Sequence, residues 1–457
     1  EYFETVDFTA PAPAVASPGS APVEAQLQLR DRRLFLFLFD LVYNRPGALD
    51  RSRRAAIDMV NHALPGDLFA VAIITPQHGI IFAIPFLRYR DAVRRAILRL
   101  APSSAHDELA VSITGDEREM AQAWAPVVQS SESRGGRGAG VMSEDFTPQL
   151  LALPLPEVQS RAWALAKDQV QSIGQLALRL RELEGYKHVV LFSEGFQIQP
   201  KFLSEQFRMV TAMASAFQSA NAFLDTLDLT PIATGIDPTI MSVGSGPAKV
   251  RASENQSLLW TSAKTGGKWI HWTNALGSAL EELSASYSAG YRLGFKPVNA
   301  RKDHNDIEVK VKNLPHGASV SFRKGFGGSA PSKEAPDTLR LADIIQNDVP
   351  QTGTPPEISV VGRRIDVVVP VVQLSKQLGA VEGATVMLYV FDASGAPVLS
   401  REKTFEIPDH AAADRIIQQK VELAPGNYVA KVLLRIGDSL AFAKQPFEIV
   451  PEEQPSH

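Results

Sequence analysis

Asp40 is the acid in this sequence best placed to do chemistry. It ends the run Arg33-Leu-Phe-Leu-Phe-Leu-Phe-Asp40, in which six large apolar residues follow one another without polar alternation. Such a run describes a strand covered on both faces, as in a parallel sheet under helices. A carboxylate at the carboxyl end of such a strand stands where open α/β sheets hold their ligands. The other constellations carry less. Arg134-Gly-Gly-Arg-Gly-Ala-Gly140 has the glycine content of a phosphate-cradling loop. It lacks the Lys-Ser/Thr ending and the strand-to-helix setting, and reads as a mobile loop within the tract Ser130–Gly140. Gly244-Ser245-Gly246 lacks the spacing of a nucleophile elbow. The nine histidines are scattered, with no i, i+4 pair beside a Glu, which argues against zinc. Trp260, Trp269 and Trp272 could form an aromatic binding surface, although their strand and helix positions favour core. Glu281-Glu282 reads as a solvated helix face. The chain has no cysteine, which excludes disulfides, thiolate metal sites and cysteine nucleophiles.

The elements that must position Asp40 follow a strand–helix alternation from residue 30 to 326. After Leu34–Leu41, Ala55, Ala56, Met59, Val60 and Ala63 recur at helical spacing, with Asp50 placed to cap. Leu68–Thr75 and Ile80–Phe86 lie too close for a crossover helix, so they form an antiparallel hairpin whose second strand is a sheet edge. Residues 101–160 read as an irregular insertion with a short helix around Glu117–Val127. A helix bearing Ile173, Leu176, Ala177 and Leu180 precedes the strand His188–Phe192. A helix bearing Leu203, Phe207, Val210, Ala214 and Phe217 precedes Ala222–Asp228. After a polar loop at 230–254 come a helix at 255–265, a strand Lys268–Trp272 and a helix with Leu276, Leu280 and Leu283. Tyr287–Phe295, Ile307–Val311 and Val320–Arg323 form a β extension. The fold class is α/β: a doubly wound, mostly parallel sheet with one antiparallel edge strand.

Composition sets the remaining bounds. The 457 residues leave room for two to four domains, and 45% hydrophobic with 21% charged residues is ordinary for a globular chain. A net charge of −4 gives no reason to expect nucleic acid or an anionic membrane as partner. No apolar run reaches the roughly 20 residues of a transmembrane segment. Residues 1–29 read as a strand remnant, Glu1–Phe8, followed by a Pro/Ala-rich linker at 9–25. No methionine or signal peptide precedes the strand, so the expectation is that a leader is absent from this chain. Residues 327–356 read as a linker holding a short docking element at Thr338–Ile345. Residues 357–451 read as strands only: Arg364–Val372, Ala384–Asp392, Val398–Ile407, Ile416–Leu423, Tyr428–Ile436 and Ser439–Val450, at the spacing of a β-sandwich, with a tail at 452–457. Leu423-Ala-Pro-Gly-Asn-Tyr428 resembles the turn before a late strand of immunoglobulin-like or fibronectin-type modules, with Tyr428 packing inward.

Ordered segments between residues 30 and 326 resemble the von Willebrand factor A domain, and in particular the bacterial secreted proteins called VWFA-related. They are the strand ending at Asp40, Leu64-Pro-Gly-Asp-Leu-Phe-Ala-Val71, Gly185-Tyr-Lys-His-Val-Val-Leu-Phe-Ser-Glu-Gly195, Thr265-Gly-Gly-Lys, Ser286-Tyr-Ser-Ala-Gly-Tyr-Arg-Leu-Gly-Phe-Lys-Pro297 and Arg323-Lys-Gly-Phe326. In that family a strand ending much like Glu1-Tyr-Phe-Glu4 closes a small β domain, which implies that an upstream β segment is absent here. The resemblance also implies a metal-ion-dependent adhesion site, in which Mg²⁺ is held by hard oxygen ligands and one position is left for a partner's carboxylate. The site's first strand ends in Asp-x-Ser-x-Ser, a Thr comes from a neighbouring loop, and an Asp follows the fourth strand. This chain keeps Asp40, puts Val42 and Asn44 where hydroxyls belong, replaces the later Asp by Glu194, and offers no identifiable Thr. Asp40, Asn44 and Glu194 are therefore read as a degenerate metal site. The acids would be hydrogen-bonded to loop amides or to Arg45, with weak Mg²⁺ or Ca²⁺ binding as the alternative. No cofactor is expected.

These readings imply a non-catalytic extracytoplasmic protein for protein–protein adhesion or assembly. The N-terminal strand would be free to add to a neighbour's sheet edge in a homo-oligomer. The alternatives are a divalent-metal-dependent receptor using Asp40 and Glu194, and a carbohydrate-binding or hydrolase-accessory protein using the tryptophans.

Overall fold

The computed structural model describes residues 2–9, 29–44, 46–76, 78–100, 155–195, 203–230, 257–271, 273–296, 305–316, 320–326 and 338–450. The expected helix at Glu117–Val127, the tract Ser130–Gly140, most of the 230–254 loop, Arg45, Trp272 and the tail lie outside these residues. The described chain forms two compact units, an α/β unit up to residue 326 and a mainly β unit with two helices over 338–450.

In the first unit, β1 (Tyr2–Asp7) precedes β2 (Arg33–Asp40), α1 (Pro46–His62), β3 (Leu68–Thr75), β4 (Gly79–Leu87), α2 (Arg90–Arg99) and α3 (Leu155–Leu180). Next come β5 (Tyr186–Ser193), α4 (Leu203–Ser219), β6 (Ala222–Asp228), α5 (257–265), β7 (Trp269–Ile270), α6 (Leu276–Ser286), β8 (Ala289–Gly294), β9 (Asn305–Asp306) and β10 (Gly325–Phe326). Six strands form one sheet in the order β4-β3-β2-β5-β6-β7, parallel throughout except for the antiparallel edge pair β3–β4. The short connection from Thr75 to Gly79 leaves no room for a crossover, which is why β4 must run back along β3.

β2 lies inside this sheet and every side chain from Leu34 to Phe39 is fully buried. Alternation sends Phe35, Phe37 and Phe39 to one face, where they meet Ala55, Ala56, Met59 and Val60 of α1, Val93 and Ile97 of α2, and Leu280 and Leu283 of α6. Aromatic rings tie the strands together on that face. Phe39 stacks on Phe192 at 4.7 Å, and Phe35 and Phe37 lie 5.5 and 5.4 Å from Phe69. Leu34, Leu36 and Leu38 turn to the other face, which takes the buried stripes of α3 (Val170, Ile173, Leu176) and α4 (Val210, Met213, Phe217). Burial of each such side chain contributes roughly 1.5–3 kcal/mol, so the uninterrupted apolar run alone makes β2 the sheet's anchor.

Several expectations are corrected. β1 pairs antiparallel with β8 of its own chain, Phe3 opposite Leu293 and Thr5 opposite Tyr291, so it is not free to complete a neighbour's sheet. The last six residues of the expected irregular insertion, 155–160, are the first turns of α3. Ile307–Val311 and Val320–Arg323 are not in ladders; pairing is confined to Asn305–Asp306 with Gly325–Phe326. β8 starts at Ala289 because Tyr287 and Ser288 are spent closing the last turn of α6, donating to Ser284 O and Ala285 O.

The second unit holds α7 (Thr338–Asn347), β11 (Glu357–Val361), β12 (Arg364–Val369), α8 (Val371–Leu378), β13 (Val381–Asp392), β14 (Pro397–Ile407), β15 (Arg415–Lys420), β16 (Gly426–Ile436) and β17 (Ser439–Ile449). Two antiparallel sheets, β11-β12-β15 and β14-β13-β16-β17, enclose Ile365, Val367, Val386, Leu388, Val432 and Leu434. β12 stops short of the expected Val372. Pro370 has no N–H for the ladder and instead precedes α8, an element hidden by the β-branched pair Val371-Val372. α7 lays Leu341, Ile344 and Ile345 on Met387, Tyr389, Phe391 and Leu433, so β13 is covered on both faces and does not alternate. The Lys431 ammonium closes the C-terminal end of α7, donating to Ile345 O at 2.9 Å and pairing with Asp348 at 2.7 Å. Tyr428 is half-buried against Phe447, and its hydroxyl donates to Ala424 O at 2.9 Å.

Candidate functional site

The sheet order reverses between β2 and β5, and the two acids singled out in the sequence stand at the carboxyl ends of these strands, Asp40 closing β2 and Glu194 directly following β5. Asp40 is wholly buried. Its Oδ1 accepts from the backbone N–H groups of Val42 at 2.9 Å and Tyr43 at 3.1 Å, as the chain turns directly after the strand. Its Oδ2 accepts from Ser193 Oγ at 2.6 Å and from Gln169 Nε2 at 2.9 Å, the latter reaching down from α3. The Ser193 hydroxyl is fixed in turn by the N–H of Gly195 at 2.9 Å.

Asn44 does not point at this carboxylate as a ligand. Its Nδ2 donates to Phe192 O at 2.8 Å and its Oδ1 accepts from Glu194 N at 2.8 Å. The side chain amide thus acts as one more peptide unit, continuing the β2–β5 ladder past the end of β2. Glu194 is buried beside it and engaged in an interaction of its own. Burial raises the Asp40 pKa above the ordinary carboxylate range, although all four hydrogen bonds pull the other way. Burial, together with the Asp40 and Asp168 charges, raises the nearby Tyr43 phenol as well.

The arrangement does not fit a hard divalent cation. Such an ion needs free oxygen lone pairs converging from several sides. Here N–H and O–H donors occupy the lone pairs of Asp40, a backbone N–H comes from the Val42 position, and the Asn44 oxygen is taken. Among the described residues no group of three or more His, Asp or Glu side chains could hold a metal.

No protein-family model matches the chain, and no curated protein matches it. Solved structures that resemble it include the hypothetical protein BatB from Bacteroides thetaiotaomicron, 8% identical, covering 56% of this chain and 97% of that one, with TM-score 0.26. A von Willebrand factor type A structure from Catenulispora acidiphila is 11% identical over 92% of this chain and 66% of that one, with TM-score 0.28. The pilus adhesin SpaC from Lactobacillus rhamnosus GG is 7% identical over 91% of this chain and 53% of that one, with TM-score 0.27. At these scores the likenesses carry no argument about function, and the chain spans only about half the length of the adhesin. The von Willebrand factor A reading therefore continues to rest on the ordered segments between residues 30 and 326.

Asp228 is a site residue that reading by motif passes over. It ends β6 as Asp40 ends β2, and the shared feature is an acid closing a buried parallel strand. Its Oδ1 accepts from Thr230 N at 2.9 Å, while Oδ2 is buried without a hydrogen-bond partner. Burial raises its pKa, and the Glu194 charge adds to the rise. Of the three tryptophans, the two among the described residues pack on different partners. Trp260 is half-buried on α5 beside Phe207 at 6.4 Å, and Trp269 is half-buried on β7, stacked on His271 at 3.6 Å. Neither is the core residue expected of it.

A second polar constellation, His188–Asp225–Tyr287, lies inside the unit. His188 Nδ1 is 3.5 Å from Asp225 Oδ2, and Tyr287 Oη donates to Asp225 Oδ1 at 2.7 Å. The imidazole is sandwiched between Phe35, Phe223 and Tyr287 and is 3% exposed. It is a polar group set in an aromatic layer.

Proposed function

We propose that this chain is a non-catalytic, extracytoplasmic module for protein–protein adhesion or for assembly of an extracellular structure. The observation that carries the reading is that Asp40 and Asn44, at the carboxyl end of the central strand, are held by the protein's own donors and acceptors. The place where an open α/β sheet would bind a ligand is filled by the protein's own hydrogen bonds to Asp40 and Asn44. A sheet of this kind joined in one chain to a two-sheet, immunoglobulin-like unit suits a scaffold that presents surfaces. The extracytoplasmic placement follows from the resemblance to VWFA-related proteins; no described helix is long and apolar enough to cross a membrane. No cofactor is assigned.

Two measurements test this. Titration of the protein with Mg²⁺ or Ca²⁺ in a calorimeter is expected to give no binding heat, and chelator to leave the melting temperature unchanged. Heat that disappears in Asp40→Ala would establish the metal-dependent receptor instead. Isolated under native conditions from its source, the protein is expected in a particle larger than one chain that contains a second protein. A lone monomer would remove the assembly role.

A further inference from the structure

The β1/β8 ribbon turns its aromatic side chains outward. Directly opposed residues of an antiparallel pair share a face, so Phe3 lies with Leu293 and Thr5 with Tyr291. Phe3 is 67% exposed and Tyr291 70%, their rings stacked at 5.4 Å, and Leu293 and Phe295 are also exposed. The opposite face holds buried Val6 and the Arg292–Glu4 ion pair at 2.8 Å. A two-stranded ribbon with one apolar face in water is poorly stable alone and is completed by a further strand or a cover.

Beside it runs a groove of about 1060 Å³. Tyr291, Arg292 and Leu293 line it in succession, as do residues 306–310 opposite. Successive strand side chains point to opposite faces, so a groove that touches each in turn runs along a backbone edge. Among the described residues β8 pairs only with β1, which leaves that edge unpaired. Residues 305–310 alternate half-buried and exposed as a strand does, yet their ladder ends at Asp306. The lining is basic on balance. Arg30, Arg181 and Arg323 outweigh Glu184 and Asp306, while Lys310 and Glu308 pair with each other at 3.2 Å and the ammonium of Lys187 is buried on Leu183 O.

We propose that this groove receives an extended strand of a protein partner, added to β8 as a third strand. The strand carries apolar side chains at alternate positions, continuing the Phe3–Tyr291–Leu293 face, and acidic side chains on its other face toward the basic lining. Lipid is the poorer occupant, because an open backbone edge needs donors and acceptors that acyl chains lack. The assignment rests on the assembly reading above and gives that reading a surface.

The probe is a capped, fluorescent octapeptide of alternating valine and glutamate, titrated against the full chain by anisotropy. Saturable binding is expected, with slowed amide exchange in β8. N-methylation of every peptide amide is expected to weaken it by about tenfold or more, since the ladder's donors are lost. Exchange of glutamate for lysine and the exposed substitution Leu293→Glu are each expected to weaken it by about tenfold, the variant keeping its circular dichroism spectrum. Absence of saturable binding, or binding indifferent to N-methylation, overturns the proposal. So does concentration-dependent dimerisation abolished by Leu293→Glu, which would make a second copy the occupant. If the peptide fails while the native particle still contains a second protein, only the groove is disproved; a lone native monomer disproves the assembly reading itself.

Discussion

Asp40→Ala is expected to cost about 2–5 kcal/mol of stability, and Asp40→Asn no more than about 1 kcal/mol at neutral pH, by urea denaturation. The alanine leaves four donors facing a cavity. Ser193 and Gln169 can turn elsewhere, but the amides of Val42 and Tyr43 are fixed by the turn and stay orphaned, at roughly 1–3 kcal/mol each. Asparagine keeps an acceptor for both amides. Its new NH₂ faces Ser193 Oγ and Gln169, and a turn of the Gln169 amide presents Oε1, which is buried without a partner in the wild type. pH supplies an independent signature. Because burial raises the Asp40 pKa, the folded state holds this proton longer than the unfolded chain. The associated stability is fully present below the unfolded value of about 3.9 and is lost as pH rises through the folded value. The wild type's advantage over Asp40→Asn should therefore be greatest in acid and shrink as pH rises. An advantage that grows with pH would mean that the ionised carboxylate, not the acid, is the form the fold favours.

At the other end of the same strand, Asp67→Ala is expected to cost about 3–5 kcal/mol, while the double substitution Arg33→Met with Asp67→Leu recovers most of the loss or exceeds the wild type. Arg33 is 2% exposed, and its Nε and Nη2 donate to the two Asp67 oxygens at 2.7 and 2.6 Å. Its Nη1 donates to Ser284 O at 3.1 Å, so the guanidinium joins β2 to the turn before β3 and to the end of α6. Removing the acid strands a desolvated cation. Removing both charges removes the desolvation cost along with the attraction, which leaves packing to be set against the lost bonds to Leu64 N and Ser284 O. Denaturant midpoints of the singles Arg33→Met and Asp67→Leu and of their double form a cycle. Equal losses in single and double would show that the ion pair contributes nothing beyond shape.

What was legible in the sequence was what local pattern dictates. Six apolar residues without alternation require a strand covered on both faces, and Leu34–Phe39 is one. A connection too short to cross over requires a hairpin, and β3–β4 is one. An acid closing the strand is visible as Asp40. Where pattern misled, an opposing local rule prevailed: Pro370 cut a strand that Val371-Val372 would have extended, and closing α6 consumed Tyr287 and Ser288.

The chemical state of Asp40 was not legible, because its partners Gln169 and Ser193 lie 129 and 153 residues along the chain and only the sheet brings them together. The same holds for Arg33 with Asp67, and for Asn44, whose role as an added rung of the ladder depends on β5 lying alongside β2. By itself the sequence determined that a buried strand delivers a carboxylate to the carboxyl edge of a parallel sheet. The tertiary structure decided that this carboxylate is occupied by the protein's own donors, because a hydrogen bond depends on distance in space and not on spacing in the chain.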